Sequence, residues 1–501
     1  MNKANPVLSG VLLTLITTLA IQGPRAAVGA EPSSVNPLQS LSEVQHLAPT
    51  PTTRVIRGWK TLNGSKVLFV ETHGLPLLDV AVSFAAGSRY DDEQPGLAAM
   101  TLSLLNEGSE GKDVDAILTA FDSLGVQLGN GIDRDHGFVS LRSLSDETIR
   151  TPALQLLSEV LSKPSFTGDA IRRVKSEILD RQMRQDVAFD TWVSHRLAPP
   201  LYPRHPYARP LYGTRESLEK ITAEQLRDFH NQAYSAGNAI IVLVGDISLE
   251  QAQIISVKIS DALPKGPALP QTASAQPEDS LVGTTHIERP TTLVHLDFAQ
   301  IAPPRQHPDY VALYVASLIF GGGFDSRLMH ALRERHGVTY SAQAQLKNWQ
   351  ARGPFHISLS TPPEYREAVI RRVKRMFEQL LEEGPTEQEL QNIKLSLRGD
   401  MALDGASNAD ILQALLVIAR HDLPLSLTDY AEQAQRLTRE MIKAALNAHF
   451  AADSWVVTST GPSVTQQALP DLQVQGPSCQ VRALDASNTR IDPPSRLSNN
   501  G

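Results

Sequence analysis

Fourteen histidines and a single cysteine, Cys479, are the residues of this chain best suited to hold a metal ion or act as a nucleophile. A helical zinc site needs two histidines on successive turns, so that both rings reach one ion from one face. No pair here has that spacing. The nearest two, His330 and His336, are six positions apart and would face different ways, and no histidine has a glutamate beside it, so neither HExxH nor HxxEH occurs. A site assembled by the fold from distant histidines stays open. One cysteine excludes an intrachain disulfide, a CxxC redox pair and a thiolate zinc knuckle, and no GxSxG elbow is present. Gly321-Gly322-Gly323 ahead of a helix could cradle phosphate. No Gly-Lys-Ser/Thr follows, so the run reads as a tight turn that lets a helix approach a sheet. Arg172-Arg173 with Lys175, and Arg371-Arg372 with Lys374-Arg375, read as solvated helix faces.

These residues sit in 501 positions with 41% hydrophobic and 20% charged residues, a composition that folds and predicts two to four domains. The net charge of -8 gives no basic face for nucleic acid, and 5% aromatics are too few for a stacking platform. Residues 1–30 have a short positive start, an apolar run from Pro6 to about Ile21 and small residues ending at Ala30. That pattern predicts a signal peptide cleaved after Ala30 rather than a membrane anchor. Removing Lys3 and Arg25 with it leaves 44 basic against 54 acidic residues, a net charge of -10. The expected location is the periplasm, with no stable membrane insertion after cleavage.

Behind a Pro/Thr/Ser-rich lead (31–53), two similar halves follow. In the first, Lys66–Glu71 and Leu77–Phe84 are strand-like, Gly96–Asn106 and Asp113–Leu124 helical, and Phe138–Leu144 a strand. Helices at Glu147–Leu161 and Thr167–Asp186 come next, and a buried strand near Asn238–Ile247 closes the half. A Pro/Ala/Ser/Gln-rich stretch, 264–284, has linker composition. Beyond it the order repeats: strand at Thr292–Ala299, helices at Tyr310–Ile319 and Ser326–Arg335, strand at Phe355–Ser360, long helices at Pro363–Glu383 and Glu387 to about Arg420, and strand at Trp455–Ser459. Gly125 and Gly337 end equivalent helices, 212 positions apart. The expected fold class is α+β, with two duplicated domains, 54–263 and 285–462, each a mainly antiparallel sheet covered by helices on one face. The Pro/Ser/Asn-rich tail, 463–501, reads as flexible.

Gly87-Ser-Arg-Tyr-Asp with Gly96-Leu-Ala in the first half, and Phe320-Gly-Gly-Gly-Phe-Asp-Ser-Arg-Leu with Leu332-Arg-Glu-Arg-His-Gly-Val-Thr-Tyr-Ser in the second, resemble the pitrilysin/insulinase family of inverzincin metallopeptidases. The likeness runs from about Arg54 to Pro462. It is strongest to the short two-domain bacterial branch, which is similar to mitochondrial processing peptidase. The resemblance implies a helical His-x-x-Glu-His directly after Gly-Leu-Ala, with two zinc ligands and a general base, and a third ligand, a Glu, from a later helix. This chain departs from it. The first His position holds Ala99, the base position Leu102 and the second His position Ser103. The third-ligand position falls at Asp180 or Arg181, with Glu177 nearby. No metal and no catalytic residue is therefore expected in this chain.

In active members, an Arg and a Tyr seven residues later reach the active site from the second domain and bind the substrate backbone and oxyanion. Arg333 and Tyr340 match that spacing, and a guanidinium and a phenol are suitable donors to a carbonyl oxygen gaining charge. The resemblance implies a non-catalytic, substrate-binding subunit of an exported heterodimeric zinc peptidase acting on peptides. The zinc would come from a homologous HxxEH-containing partner. A peptide-binding or chaperone-like homodimer and a structural core subunit of a larger assembly are the alternatives.

Overall fold

The computed structural model describes residues 54–185, 196–270 and 273–470, the side chains of 183–185 and 401–404 excepted. The expected signal peptide, the lead segment and Cys479 lie outside the described residues.

The first half runs β1 (Arg57–Lys60), β2 (Lys66–Glu71), β3 (Leu77–Phe84), α1 (Leu97–Leu104), β4 (Gly108–Ser109), β5 (Lys112–Asp113), α2 (Val114–Ser123), β6 (Gln127–Ile132), β7 (Gly137–Leu144), α3 (Glu147–Ser162) and α4 (Gly168–Gln185). A short helix α5 at 196–201 follows. Then come α6 (Arg215–Lys220), α7 (Ala223–Ala233), β8 (Ala239–Gly245) and α8 (Leu249–Ala262). The second half runs β9 (Gly283–Glu288), β10 (Val294–Ile301), α9 (Tyr310–Gly321), a π-helical turn (Met329–Arg335), β11 (Ala342–Leu346), β12 (Pro354–Thr361), α10 (Arg366–Glu383), α11 (Glu387–Asp404), α12 (Asn408–Arg420), α13 (Asp429–Arg436), α14 (Arg439–His449) and β13 (Val456–Gly461).

The duplication is visible in the sheets. The first is ordered β1-β2-β8-β3-β7-β6 and the second β9-β13-β10-β12-β11. Leaving out β1, the strands correspond one for one. β2 and β9 each pair in parallel with the strand that closes their half, and the other pairings are antiparallel. Alternation along β3 explains its place. Leu78, Val80, Val82 and Phe84 enter the first core with α1, α3, α7 and α8, while Ala81 faces the other side. In α10, Val369, Val373, Phe377 and Leu380 form the apolar stripe of the second core, and Arg371 and Arg375 are exposed, as the solvated-face reading expects.

Apart from α5 and α12, the core-forming helices of each half pack on one face of its own sheet. The second face of each sheet is covered from the opposite half. The sequence pattern predicts one helix from Glu387 to about Arg420; instead the chain breaks at Gly405–Ser407, and Ser407 caps α12. That break turns Ile411, Leu412, Leu415 and Leu416 onto Leu68, Val70, Val242 and Val244 of the first sheet. In return, Leu197, Leu201, Tyr202 and Tyr207 pack on Ala299, Ile301 and Val456 of the second. Each fully buried Leu or Ile contributes about 1.5–3 kcal/mol of transfer free energy, so this exchange makes the two halves one packed unit.

Two segments expected to be loose are tied down. In the 264–284 stretch, Ala275 N donates to Ala351 O at 3.0 Å and Leu281 N to Pro200 O at 2.8 Å. The first residues of the stretch expected as a flexible tail, up to 470, are held against the second half. Gln467 N donates to Glu364 O at 2.7 Å, Gln466 accepts from Glu367 N at 2.9 Å, and Leu469 packs on the second core. Residues 471–501 lie outside the described residues.

Candidate functional site

The helix that would carry the zinc motif is α1. Asp91 positions it by accepting hydrogen bonds from Gly96 N and Ala98 N, each at 2.7 Å. Burial pushes Asp91 up to about 7, against the lowering by those two N–H groups. Gly96, just before the helix, has φ +96, and a side chain there would collide with Leu218 and Gly213. On the helix itself Ala99 is 1% exposed and Leu102 3% exposed, with Leu102 part of the first core. Ser103 is half-buried. An aliphatic carbon thus lies where the general base would stand. α4 packs alongside α1, but Glu177 is exposed, Asp180 half-buried, and neither makes a hydrogen bond among the described residues. Arg181 lies 5.8 Å from the ring centre of Tyr212. Among the described residues the structure brings together no ligand set here.

The remaining residues of Gly87-Ser-Arg-Tyr-Asp serve a different purpose. Arg89 forms a buried ion pair with Asp135 at 3.0 Å, both side chains 2% exposed. Asp135 also accepts from Tyr207 Oη at 2.5 Å and from Gln350 N at 3.0 Å, and Arg89 donates to Gln350 Oε1 at 2.8 Å. Gln350 belongs to the second half and donates in turn to Arg420 O. The network is therefore a polar pin between the two halves. Gly87 permits it: a Cβ there would come within 2.5 Å of the Arg134–Asp135 backbone. Burial, then the negative charge of Asp135, holds the Tyr207 phenol far above its ordinary pKa, so it remains a donor.

In the second half, Arg333 and Tyr340 do meet. The segment expected as an ordinary helix, Ser326–Arg335, is wound as a π-helix over Met329–Arg335, a geometry frequent at functional sites. Gly337 at φ +62 reverses the chain, and Val338 N closes onto Leu332 O at 2.9 Å. Thr339 Oγ1 then donates to Ser360 O, fixing the next residue beside β12. The result places the Arg333 guanidinium 4.9 Å from the Tyr340 ring centre and 5.4 Å from that of Phe324. Tyr340 is 83% and Phe324 74% exposed. Arg333 itself is half-buried, and among the described residues its guanidinium has no carboxylate partner.

Phe324 also lines a cleft of about 580 Å³ with Gly321-Gly322-Gly323, Gln343 and Gln345, along β11, the outermost strand of its sheet. The glycine run is the expected close approach: a Cβ on Gly321 would lie 2.4 Å from Ala344 N. Phe324 was absent from the sequence-based site, although it stands within the Gly-Gly-Gly-Phe-Asp run; nothing in its type distinguishes it from a core aromatic.

The fold and the site define a duplicated peptidase-like scaffold whose HxxEH positions hold Ala99, Leu102 and Ser103. Residues 66–215 match the family description "Insulinase (Peptidase family M16)" and residues 220–397 "Peptidase M16 inactive domain". A crystal structure of a peptidase M16 inactive domain from Pseudomonas fluorescens is 42% identical, with a TM-score of 0.80, covering 83% of this chain and 100% of that one. A non-peptidase homolog from Helicobacter pylori is 26% identical over 394 residues, 76% of this chain and 88% of that protein. An uncharacterized zinc protease from Mycobacterium tuberculosis is 25% identical over 415 residues, 80% of this chain and 93% of that protein. The chain belongs to the M16 (pitrilysin/insulinase) family, as an inactive homologue of its peptidases.

Proposed function

We propose that this chain is the substrate-binding, non-catalytic subunit of an exported heterodimeric zinc peptidase acting on peptides. The observation that carries the reading is a contrast within one molecule. The ligand and base positions on α1 are Ala99, Leu102 and Ser103, buried or half-buried, while a half-buried Arg333 is held against Tyr340, whose ring is exposed. A chain with no use for its active-site cleft has no reason to keep only the second-domain donors assembled. The zinc and general base come from a homologous HxxEH-containing partner. Arg333 donates to the peptide carbonyl from the opposite side, and Tyr340 orients the guanidinium and offers a second donor. The free edge of β11 beside the Phe324 cleft offers backbone N–H and C=O groups to an extended peptide.

The reading also takes residues 1–30 as an export signal and the periplasm as the place of action. Co-expression with an exported HxxEH homologue, followed by co-purification and a peptidase assay, tests it. A stable mixed complex with activity absent from either chain alone supports it. A homodimer that ignores the homologue and binds peptides favours the chaperone-like alternative and overturns the proposal.

A further inference from the structure

Among the described residues, four clusters of histidine and acid stand outside α1; in one, Glu71 and Asp246 take opposite nitrogens of the His73 ring, at 3.4 and 2.7 Å, and do not converge. Asp133, Asp135 and His136 form another, but Arg89 and Arg420 already face its carboxylates, and the cluster is spent on the pin between the halves. His295, Asp297 and His356 form a third on β10 and β12. There Asp297 holds one ring on each oxygen, at 3.2 and 3.0 Å, so the two histidines do not converge on a common point. The fourth cluster is His307, Asp309 and His449. One donor atom from each lies within 4.8 Å of the others.

Its geometry differs from the other three. His449 Nε2 and His307 Nδ1 approach the same oxygen, Asp309 Oδ2, at 2.9 and 3.8 Å. The two rings are 4.7 Å apart at 88°, edge against face. The side chains of His307, Asp309 and His449 are 35%, 40% and 13% exposed, leaving one side open to water. Among the described residues no Lys or Arg is paired with Asp309. Asp309 stands at the N-cap of α9 yet makes no capping hydrogen bond. A residue type strongly favoured for capping has turned its carboxylate to His449, the last residue of α14.

We propose that His307, Asp309 and His449 bind one divalent transition-metal ion, with zinc as the best match to two imidazoles and a carboxylate. Tetrahedral ligands at about 2.0–2.1 Å from an ion lie about 3.3–3.4 Å from one another, so His307 Nδ1 would give up the hydrogen bond it accepts from Asp309 N at 3.2 Å and close on Asp309 Oδ2, while His449 Nε2 would draw back slightly from that oxygen. The fourth position is left to water. The ion ties the loop before α9 to the end of α14. Arg352, whose charge acts on His307, works against the ion and keeps the affinity moderate. The site lies in the second half and is separate from α1, so it stands whether or not a peptidase partner exists.

The test is titration of the purified full-length chain with Co²⁺, read by its visible absorption, with Zn²⁺ as competitor. The expected result is one Co²⁺ per chain, displaced by Zn²⁺, with a spectrum of low coordination number. Asp309→Asn weakens binding at least about tenfold, and His307→Gln with His449→Gln abolishes the spectrum while far-UV circular dichroism stays unchanged. Zn²⁺ raises the melting temperature of the parent chain and not of the double variant. Failure of the parent to bind Co²⁺, or equal binding by the double variant, overturns the proposal. Neither result bears on whether the chain activates an HxxEH partner.

Discussion

The guanidinium of Arg333, in the π-helical turn, lies 4.9 Å from the ring centre of the exposed Tyr340, which the glycine reversal at Gly337 brings back to it. Both are peripheral to the second core, so their removal should leave folding nearly untouched. Arg333→Ala and Tyr340→Ala are each expected to change unfolding free energy by less than about 0.5–1 kcal/mol, measured by urea denaturation. A loss of several kcal/mol would mean that the pair supports the fold rather than a surface function.

The pin at Asp135 should behave in the opposite way. Asp135→Ala leaves Arg89 charged and buried, and strips acceptors from Tyr207 Oη and Gln350 N. The expected cost is about 3–5 kcal/mol, with loss of the single cooperative transition that joins the two halves. Urea unfolding followed by both tryptophan fluorescence and circular dichroism reads it.

Acid should loosen the same region. His421 is 3% exposed, its Nδ1 has no partner, and burial, with the charges of His136, Arg305 and Arg420, pushes it down to about 4; Asp133 acts the other way. In the unfolded chain its pKa returns to about 6.5. Between those values the unfolded state binds more protons, so stability falls as pH falls, by at most about 3 kcal/mol across the window. His421→Leu should flatten that part of the pH profile, since no hydrogen bond from Nδ1 is lost. An unchanged slope from pH 7 to 4 in the variant would remove His421 from the account.

Restoring the family motif should not restore the site. Leu102 is part of the first core, and a Glu there buries a carboxylate without a cation. The triple change Ala99→His, Leu102→Glu, Ser103→His is expected to lower stability by about 3 kcal/mol or more and to add no zinc beyond that held by the parent chain. Melting temperature and elemental analysis decide it. A gain of one zinc with hydrolytic activity would show that α1 is only a few side chains from a working peptidase.

The sequence carried the inner strands of both sheets, the duplication and the empty motif, because apolar runs and missing ligands are local signals; the edge strands β1, β6, β9 and β11 were not read, β9 starting inside the stretch taken as linker. β3 was visible as an alternating strand, and Ala99, Leu102 and Ser103 were legible as departures from HxxEH without a structure. The exchange of α12 and the 196–208 segment between halves was not visible. An apolar stripe such as Ile411–Leu416 shows that a face is buried, not which sheet buries it. The Arg89–Asp135 pin was hidden for the same reason, since its partners lie in three separate stretches of chain. Arg333 and Tyr340 were found by spacing, while Phe324 was missed because its exposure depends on the turn at Gly321–Gly323. His307, Asp309 and His449 escaped the search for helical histidine pairs, because their approach is made by the packing of α14 against α9.

The central claim is that this chain lends substrate contacts to a zinc-bearing partner. The most direct measurement is peptidase kcat/KM for the HxxEH homologue alone, with this chain, and with its Arg333→Ala or Tyr340→Phe variant, at equal complex formation. Activity is expected only in the mixture, with a fall of about 10²–10³-fold for Arg333→Ala, the scale of a lost oxyanion donor. Full activity of the homologue alone, or a mixture indifferent to Arg333, would contradict the claim.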